Sequence, residues 1–403
     1  MEKYYKEKAW WVSPYNFAEP VRRQMKIADM VQIHDATLRD GEQTPGVVFS
    51  VDDKIRIAEG LMEIGVDRLE AGMPVVSHND QKAVREICKR KGNTKIYTFA
   101  RAMRTDIDLA LDCGADGVLI EVPIGYPKLK YQFNWTWENV LEKSVGCIRY
   151  AKEKGLNVVY FPYDTTRANL DDLENLLTGV VRDAKPDSVG LVDTMGCALP
   201  QTIMYLVGMM KKLTNLPIEV HTHNDFGMAV ATELAGLAAG AEVLHTCVNG
   251  LGERTGNAAL EEVILGIHIL MGIDTSYKLD KILPLCKMVE KISGVDIAVN
   301  KPFSGARNYC RESGIGVQHV IENPLAMFAT DPVYFGREAQ IVLGKKSGKA
   351  SVEYMLAKKG IKATETQVLD ILERVKWLSE KERRLIRNDE FYGIVETCLP
   401  QPG

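Results

Sequence analysis

The residues best placed to do chemistry are two histidines, His221 and His223, in the run EVHTHND, and a charged group in the run VQIHDATLRDGEQTPG. That group comprises Arg39, Asp40, Glu42 and Gln43. Both runs read as β-strands. Side chains two apart on a strand point to one face, so both imidazoles reach a single point. An arginine and carboxylates at the mouth of a strand are costly to bury unless they pair or bind a metal. One carboxylate, two imidazoles and neutral oxygens leave positions open for substrate oxygens. This mixed set suits Mg2+, Mn2+, Co2+ or Zn2+ and does not choose among them. A metal held there acts as a Lewis acid that orients and polarises a carbonyl.

The elements that must position these residues follow a regular rhythm. Strands are predicted at 31–39, 67–72, 95–100, 117–123, 157–162, 188–194, 217–224 and 243–249. Helical periodicity fills the gaps, at 52–65, 79–91, 105–113, 135–154, 170–183, 200–213, 227–239 and 257–271. Capping residues such as Ser50 open several helices, and glycines such as Gly65 and Gly114 close others. The alternation predicts a (β/α)8 TIM barrel over 31–272, in the α/β class. An open doubly wound sheet is disfavoured, because no glycine-rich turn follows the first strand and polar residues collect at many strand ends. Residues 1–30 form an N-terminal extension. Its Trp10, Trp11, Tyr15 and Phe17 are expected to cover a barrel end or a subunit contact. Residues 273–403 read as a linker and a smaller, mainly helical C-terminal subdomain, with helices near 349–359 and 364–376.

In a barrel the C-terminal strand ends form one face, where active sites sit. Those ends carry Arg39, Asp40 and Gln43; Glu70; Arg101; Glu121; Asp164; Asp193 and Thr194; His221 and His223; and Asn249 ahead of GLGERTGN. Arg39 suits a substrate carboxylate or a developing enolate oxygen, or else an ion pair with Glu70 or Asp193. Glycines 250–256 ahead of a helix suit a phosphate or a simple tight turn.

Composition narrows the class. A net charge of -4 gives no reason to expect nucleic acid or an anionic membrane as partner. Eight scattered cysteines without a C-x-x-C pair argue for reduced thiols and against a zinc ribbon. No apolar run reaches the roughly 18 residues needed to span a bilayer, and the N-terminus lacks a signal core. A cytoplasmic protein is expected.

DATLRDGEQTPG, HTHNDFGMAVA and NGLGERTGNAALEEV together resemble the signatures of the 2-isopropylmalate, homocitrate and citramalate synthase family. That family belongs to the metal-dependent barrel superfamily that includes HMG-CoA lyase. The resemblance runs from about residue 31 to 272, and more weakly to about 352. It implies an acyltransferase that condenses acetyl-CoA with a 2-oxo acid, then hydrolyses the thioester. It implies Asp40, His221, His223 and Asn257 as ligands of a divalent metal, with Arg39 stabilising charge. Gln43 and Thr194 would bind the oxo acid, Arg101 would contribute to the same site, and Gly250 and Gly252 would line the acyl-CoA approach. A homodimer is also implied.

The chain departs from the pattern where a proton-transfer group is needed. Tyr163-Asp164 stands where the family usually has Glu-Asp. Gly316 replaces a histidine, Met327 a tyrosine, and Lys346 a histidine. Tyr163, Asp164 and His319 are the substitute candidates for the base. Lys128 and Lys130, in the loop after the fourth strand, suit a dicarboxylate such as oxaloacetate, so a citrate-forming member is an option. The alternatives are a retro-Claisen 3-hydroxyacyl-CoA lyase and a non-catalytic metabolite-binding barrel. The lyases use a cysteine in the glycine loop, and GLGERTGN has none.

Overall fold

Eight parallel strands close on themselves in the computed structural model, which describes residues 2–399. They are β1 (Gln32–Asp35), β2 (Arg68–Glu70), β3 (Lys95–Arg101), β4 (Gly117–Pro123), β5 (Asn157–Tyr163), β6 (Ser188–Asp193), β7 (Ile218–Thr222) and β8 (Val243–Thr246). β8 pairs with β1, His245 opposite His34, and this closes the barrel. Full closure leaves no strand edge exposed. Alternate residues point inward, so Tyr97, Phe99, Leu119, Val159, Phe161 and Val192 form an interior apolar cluster.

The intervening helices begin where the sequence offers caps. Ser50 accepts from the Asp53 N–H at 3.1 Å while Asp53 accepts from the Ser50 N–H at 3.2 Å, and helix Val51–Ile64 starts there. Asn169 caps Leu170–Asp183 by accepting from the Asp172 N–H at 3.2 Å. The last helix departs from expectation, being α-helical only over Leu260–Leu265 before a π turn at Gly266–Leu270.

Two expected boundaries shift. β1 ends at Asp35 rather than at 39, because the Ala36 carbonyl accepts from the N–H groups of Arg39, Asp40 and Gly41. The charged group therefore rides on a turn beyond the strand. The barrel unit spans Tyr15–Ile297, not 31–272. Helix Leu279–Ser293 belongs to it: Ile282, Leu285 and Val289 are buried, the Asn249 amide donates to the Cys286 carbonyl at 2.9 Å, and Tyr277 donates to Asp67 at 2.6 Å.

The other unit joins residues 2–14 to 298–399. Trp10 packs edge-on against Tyr334 at 5.7 Å, and the Trp11 N–H donates to the Ala329 carbonyl. The four expected N-terminal aromatics are thus divided between units, and Tyr15 is exposed. Three helices close the chain rather than two: Lys349–Ala357, Glu365–Glu382 and Asn388–Cys398. Val352, Ile371, Val375 and Phe391 form their core.

Candidate metal centre and cavity

The turn after β1 and the end of β7 bring Asp40, His221 and His223 together. One donor atom from each lies within 4.8 Å of the others. Asp40 Oδ2 stands 3.4 Å from His221 Nε2 and 3.7 Å from His223 Nε2, and the two Nε2 atoms are 3.4 Å apart. His223 lies one residue past the last ladder position of β7 and bridges to Asn257. That bridge carries the glycine loop to the cluster.

The electrostatics favour a cation. Burial alone would raise Asp40, yet Arg39, His221 and His223 hold its carboxyl well below the usual range. Burial pushes both imidazoles down, His223 to about 4, so both are neutral and keep a lone pair. Asp40 Oδ1 and Asn257 Oδ1 are buried and have no hydrogen-bond partner. Asn257 Nδ2 donates to the Leu251 carbonyl at 3.0 Å, which leaves Oδ1 as the uncommitted end. Two orphaned oxygens beside two neutral imidazoles are a chemical fit for a divalent metal.

Arg39 forms the ion pair with Glu70. Its Nε donates to Glu70 Oε1 at 2.7 Å and its Nη1 to Asp40 Oδ2 at 2.9 Å, while the guanidinium lies 4.3 Å over the Phe99 ring. The fork thereby aims Asp40, and Arg39 also lines the cavity. Glu42 faces elsewhere, toward Lys54 at 2.6 Å and the Phe49 N–H at 2.9 Å.

A cavity of 330 Å³ opens onto the cluster. Arg39, Asp40, Gln43, Arg101, Lys128, Tyr163, Thr194, His221 and His223 all line it, with Met73, Phe99, Phe161 and Val192 as apolar wall. Thr194 Oγ1 accepts from the Asp164 N–H at 2.9 Å, which leaves its O–H free to donate inward. Arg101 is partly spent on Asp106, at 2.9 and 3.0 Å. Lys128 Nζ sits 5.3 Å over the Tyr163 ring and makes no ion pair among the described residues.

Two of the candidate bases do not survive the geometry. Asp164 is fully buried, takes three hydrogen bonds from Arg167 at 2.7–3.2 Å and does not line the cavity, so it is no free base. The Tyr163 phenol is pushed up to about 12 by burial and by Glu121, which disqualifies it as a base near neutrality. His319 is exposed on the short helix Val317–Glu322, in the unit that does not contain the cavity. Gly250 and Gly252 do not line the cavity. Within the loop the Gly250 N–H donates to Cys247, Leu251 to Val248, Gly252 to Thr44 Oγ1, Gly256 to Glu253 and Asn257 to Gly250. The glycines instead permit close approach, because a Cβ at Gly252 (φ +149°) would lie 2.1 Å from Asn257 Nδ2 and 3.1 Å from Asp40 Oδ1.

The two departures Gly316 and Met327 meet. Gly316 has φ +89°, and a Cβ there would lie 3.0 Å from Met327 Cε. Sequence reading placed Glu121 at a strand end without giving it a role, although the structure sets it in the cavity wall.

Comparison with known proteins agrees with this geometry. Residues 30–289 match the HMGL-like family, and residues 304–383 match the homocitrate synthase post-HMGL domain-like family. The chain is 39% identical to homocitrate synthase AksA of Methanopyrus kandleri, over 97% of this chain and 98% of that one. It is 41% identical to the putative (R)-citramalate synthase CimA of Archaeoglobus fulgidus, over 92% and 75%. It is 38% identical to 2-isopropylmalate synthase of Methanocaldococcus jannaschii, over 93% and 73%. Among solved structures, HMG-CoA lyase of Bacillus subtilis superposes with a TM-score of 0.59 at 21% identity. The superposition covers 68% of this chain and 97% of that one.

Proposed function

The chain belongs to the HMGL-like family, and from that premise we propose that it condenses an acyl-CoA, acetyl-CoA foremost, with a 2-oxo acid in a metal-dependent Claisen-type reaction. The observation that carries the proposal is the cluster of Asp40, His221 and His223 at a cavity, with the oxygens of Asp40 and Asn257 unspent. In this reading these four residues hold a divalent cation, which when bound supplies Lewis acidity to the ketone of the oxo acid. Arg39 aims Asp40 and adds positive charge where the oxygen becomes anionic. The Thr194 hydroxyl donates to the oxo-acid carboxylate, and the Gln43 amide, at the cavity wall, contacts the same substrate. Phe99, Phe161 and Val192 keep water from the reacting carbons.

The uncommitted Lys128 favours a dicarboxylic oxo acid, oxaloacetate or 2-oxoglutarate, over an aliphatic one. Against the retro-Claisen alternative, the lyase structures share only the barrel, and the glycine loop lacks a cysteine. A homodimer in the cytoplasm belongs to the same reading, and among the described residues no helix is long and apolar enough to cross a membrane. Sedimentation at twice 44.9 kDa tests the dimer. The deciding experiment is thiol release from acetyl-CoA with Mg2+ or Mn2+ over pyruvate, 2-oxoisovalerate, oxaloacetate and 2-oxoglutarate. Release must require both the oxo acid and the metal; silence across the panel defeats the proposal.

A further inference from the structure

The condensation needs a base for the weakly acidic α-proton of the thioester, and Asp164 and Tyr163, two of the residues expected to supply one, are unsuited to it. The cavity wall holds another carboxyl. Glu121 lies on β4 directly opposite Phe161 of β5 and Arg101 of β3, and all three line the cavity. Side chains two apart on a strand share a face, and Pro123, two residues on, lines it too.

The other carboxyls near the reacting centre are committed. Asp40 takes Arg39 and faces the two histidines. Glu70 is locked on Arg39, and Asp164 on Arg167. Asp193 accepts from Thr166 and from two backbone N–H groups. Glu253 is half exposed and faces Arg254 at 3.4 Å. Glu121 is half-buried and makes no hydrogen bond or ion pair among the described residues.

We propose that Glu121 is the general base of the condensation. One of its carboxylate oxygens takes a proton from the carbon next to the thioester carbonyl: a C–H bond breaks, an O–H bond forms, and the electron pair moves into the enolate. The enolate carbon then attacks the oxo-acid ketone. A C–C bond forms, and the ketone's π pair passes to its oxygen. The assignment rests on the condensation reading above. Burial lifts the Glu121 carboxyl to about 7; Arg39 opposes the rise, Asp40 and Glu70 add to it, and Lys128 opposes it. A base with its pKa near the working pH transfers protons well. Tyr163, the remaining titratable neighbour, is protonated there.

The test compares wild-type chain with Glu121→Gln and Glu121→Asp, metal-loaded, on acetyl-CoA and the oxo acid that wild type uses. Two readouts accompany thiol release: deuterium uptake from D2O into the acetyl methyl group, and the pH profile. Because Glu121 bears no partner, the amide is expected to fold with an unchanged Tm. The expected result is a kcat lower by about 10²–10⁴-fold for Glu121→Gln. KM for the oxo acid stays within about threefold, deuterium uptake falls in parallel, and the limb that rises with pH as the Glu121 carboxyl ionises disappears. A Glu121→Gln enzyme with kcat within about threefold of wild type overturns the assignment. So does an unchanged kcat with a shifted KM, which makes Glu121 a substrate-selecting group. Should the amide variant not fold, Glu121→Asp decides: a drop of about tenfold or more supports the base role, and parity overturns it. Wild type that neither releases thiol nor takes up deuterium removes the condensation reading and the base with it. Wild type that does both beside an equally active Glu121→Gln removes the base alone.

Discussion

Two buried carboxylate–histidine trios sit in this barrel, and they have nearly the same composition. Asp40, His221 and His223 form one; Glu219, His34 and His245 form the other, on β7, β1 and β8. They differ in what the carboxylate has left to give. Glu219 accepts from Arg68 at 2.6 Å, Ser188 at 2.5 Å and His245 at 2.9 Å. His34 and His245 stack face to face at 4.3 Å and 8°, and none of this trio lines the cavity. In the Asp40 trio one carboxylate oxygen is unspent, the two imidazoles are steeply inclined at 75°, and a cavity adjoins. Residue types alone do not make a metal centre. Unspent lone pairs that converge and can be reached do.

Four experiments would break or sharpen that contrast. The largest effect is expected from Asp40→Ala, which removes an anionic donor. Oxo-acid-dependent thiol release should fall on the order of 10³-fold, and bound metal, counted by elemental analysis, should fall from one per chain to none. Two metals per wild-type chain would erase the distinction between the trios. Next is Glu219→Gln, which leaves the half-buried Arg68 guanidinium without its counter-charge. Denaturant titration should show a loss of about 3–5 kcal/mol with metal content kept; loss of metal at full stability would reverse the assignment.

The third concerns pH. Burial, with His34 nearby, pushes His245 down to about 4 against the pull of Glu219. The unfolded chain therefore takes up this proton first as pH falls, so the stability associated with His245 is lost between about 6.5 and 4. The stability difference between wild type and His245→Gln should shrink across that window by up to about 3 kcal/mol. A flat difference would mean that the imidazole is not buried neutral. The smallest effect is Gly252→Ala, whose added carbon would crowd Asn257 and Asp40. Calorimetry should find metal affinity weaker by about 10–100-fold, with Tm lowered by the strain of a side chain at this φ, and an unaltered affinity would remove Asn257 from the donor set.

Much of this was legible in the residues. Each strand position was evident from the βα alternation, because a parallel barrel strand buried on both faces must be short and apolar between capped helices. The His-x-His spacing named its own face. What escaped was the state of each side chain. Asp164 looked as available as Glu121, yet one is saturated by Arg167 three residues on, while the other faces the cavity unpartnered. Glycines 250–256 looked like an anion loop, and the N–H groups of Gly250, Gly252 and Gly256 proved to be spent on Cys247, Thr44 and Glu253.

The sequence by itself determined the barrel and the strand ends that carry chemistry, because periodicity and side-chain spacing are local properties; the pairing of Asp40 with two histidines was implied by the resemblance to the synthase family. Only the tertiary structure decided which of the many strand-end acids and bases remain free to react. That depends on partners contributed from other strands, such as Glu70 for Arg39 and Arg68 for Glu219, and on burial, which shifts a proton's preference according to all the charges around it.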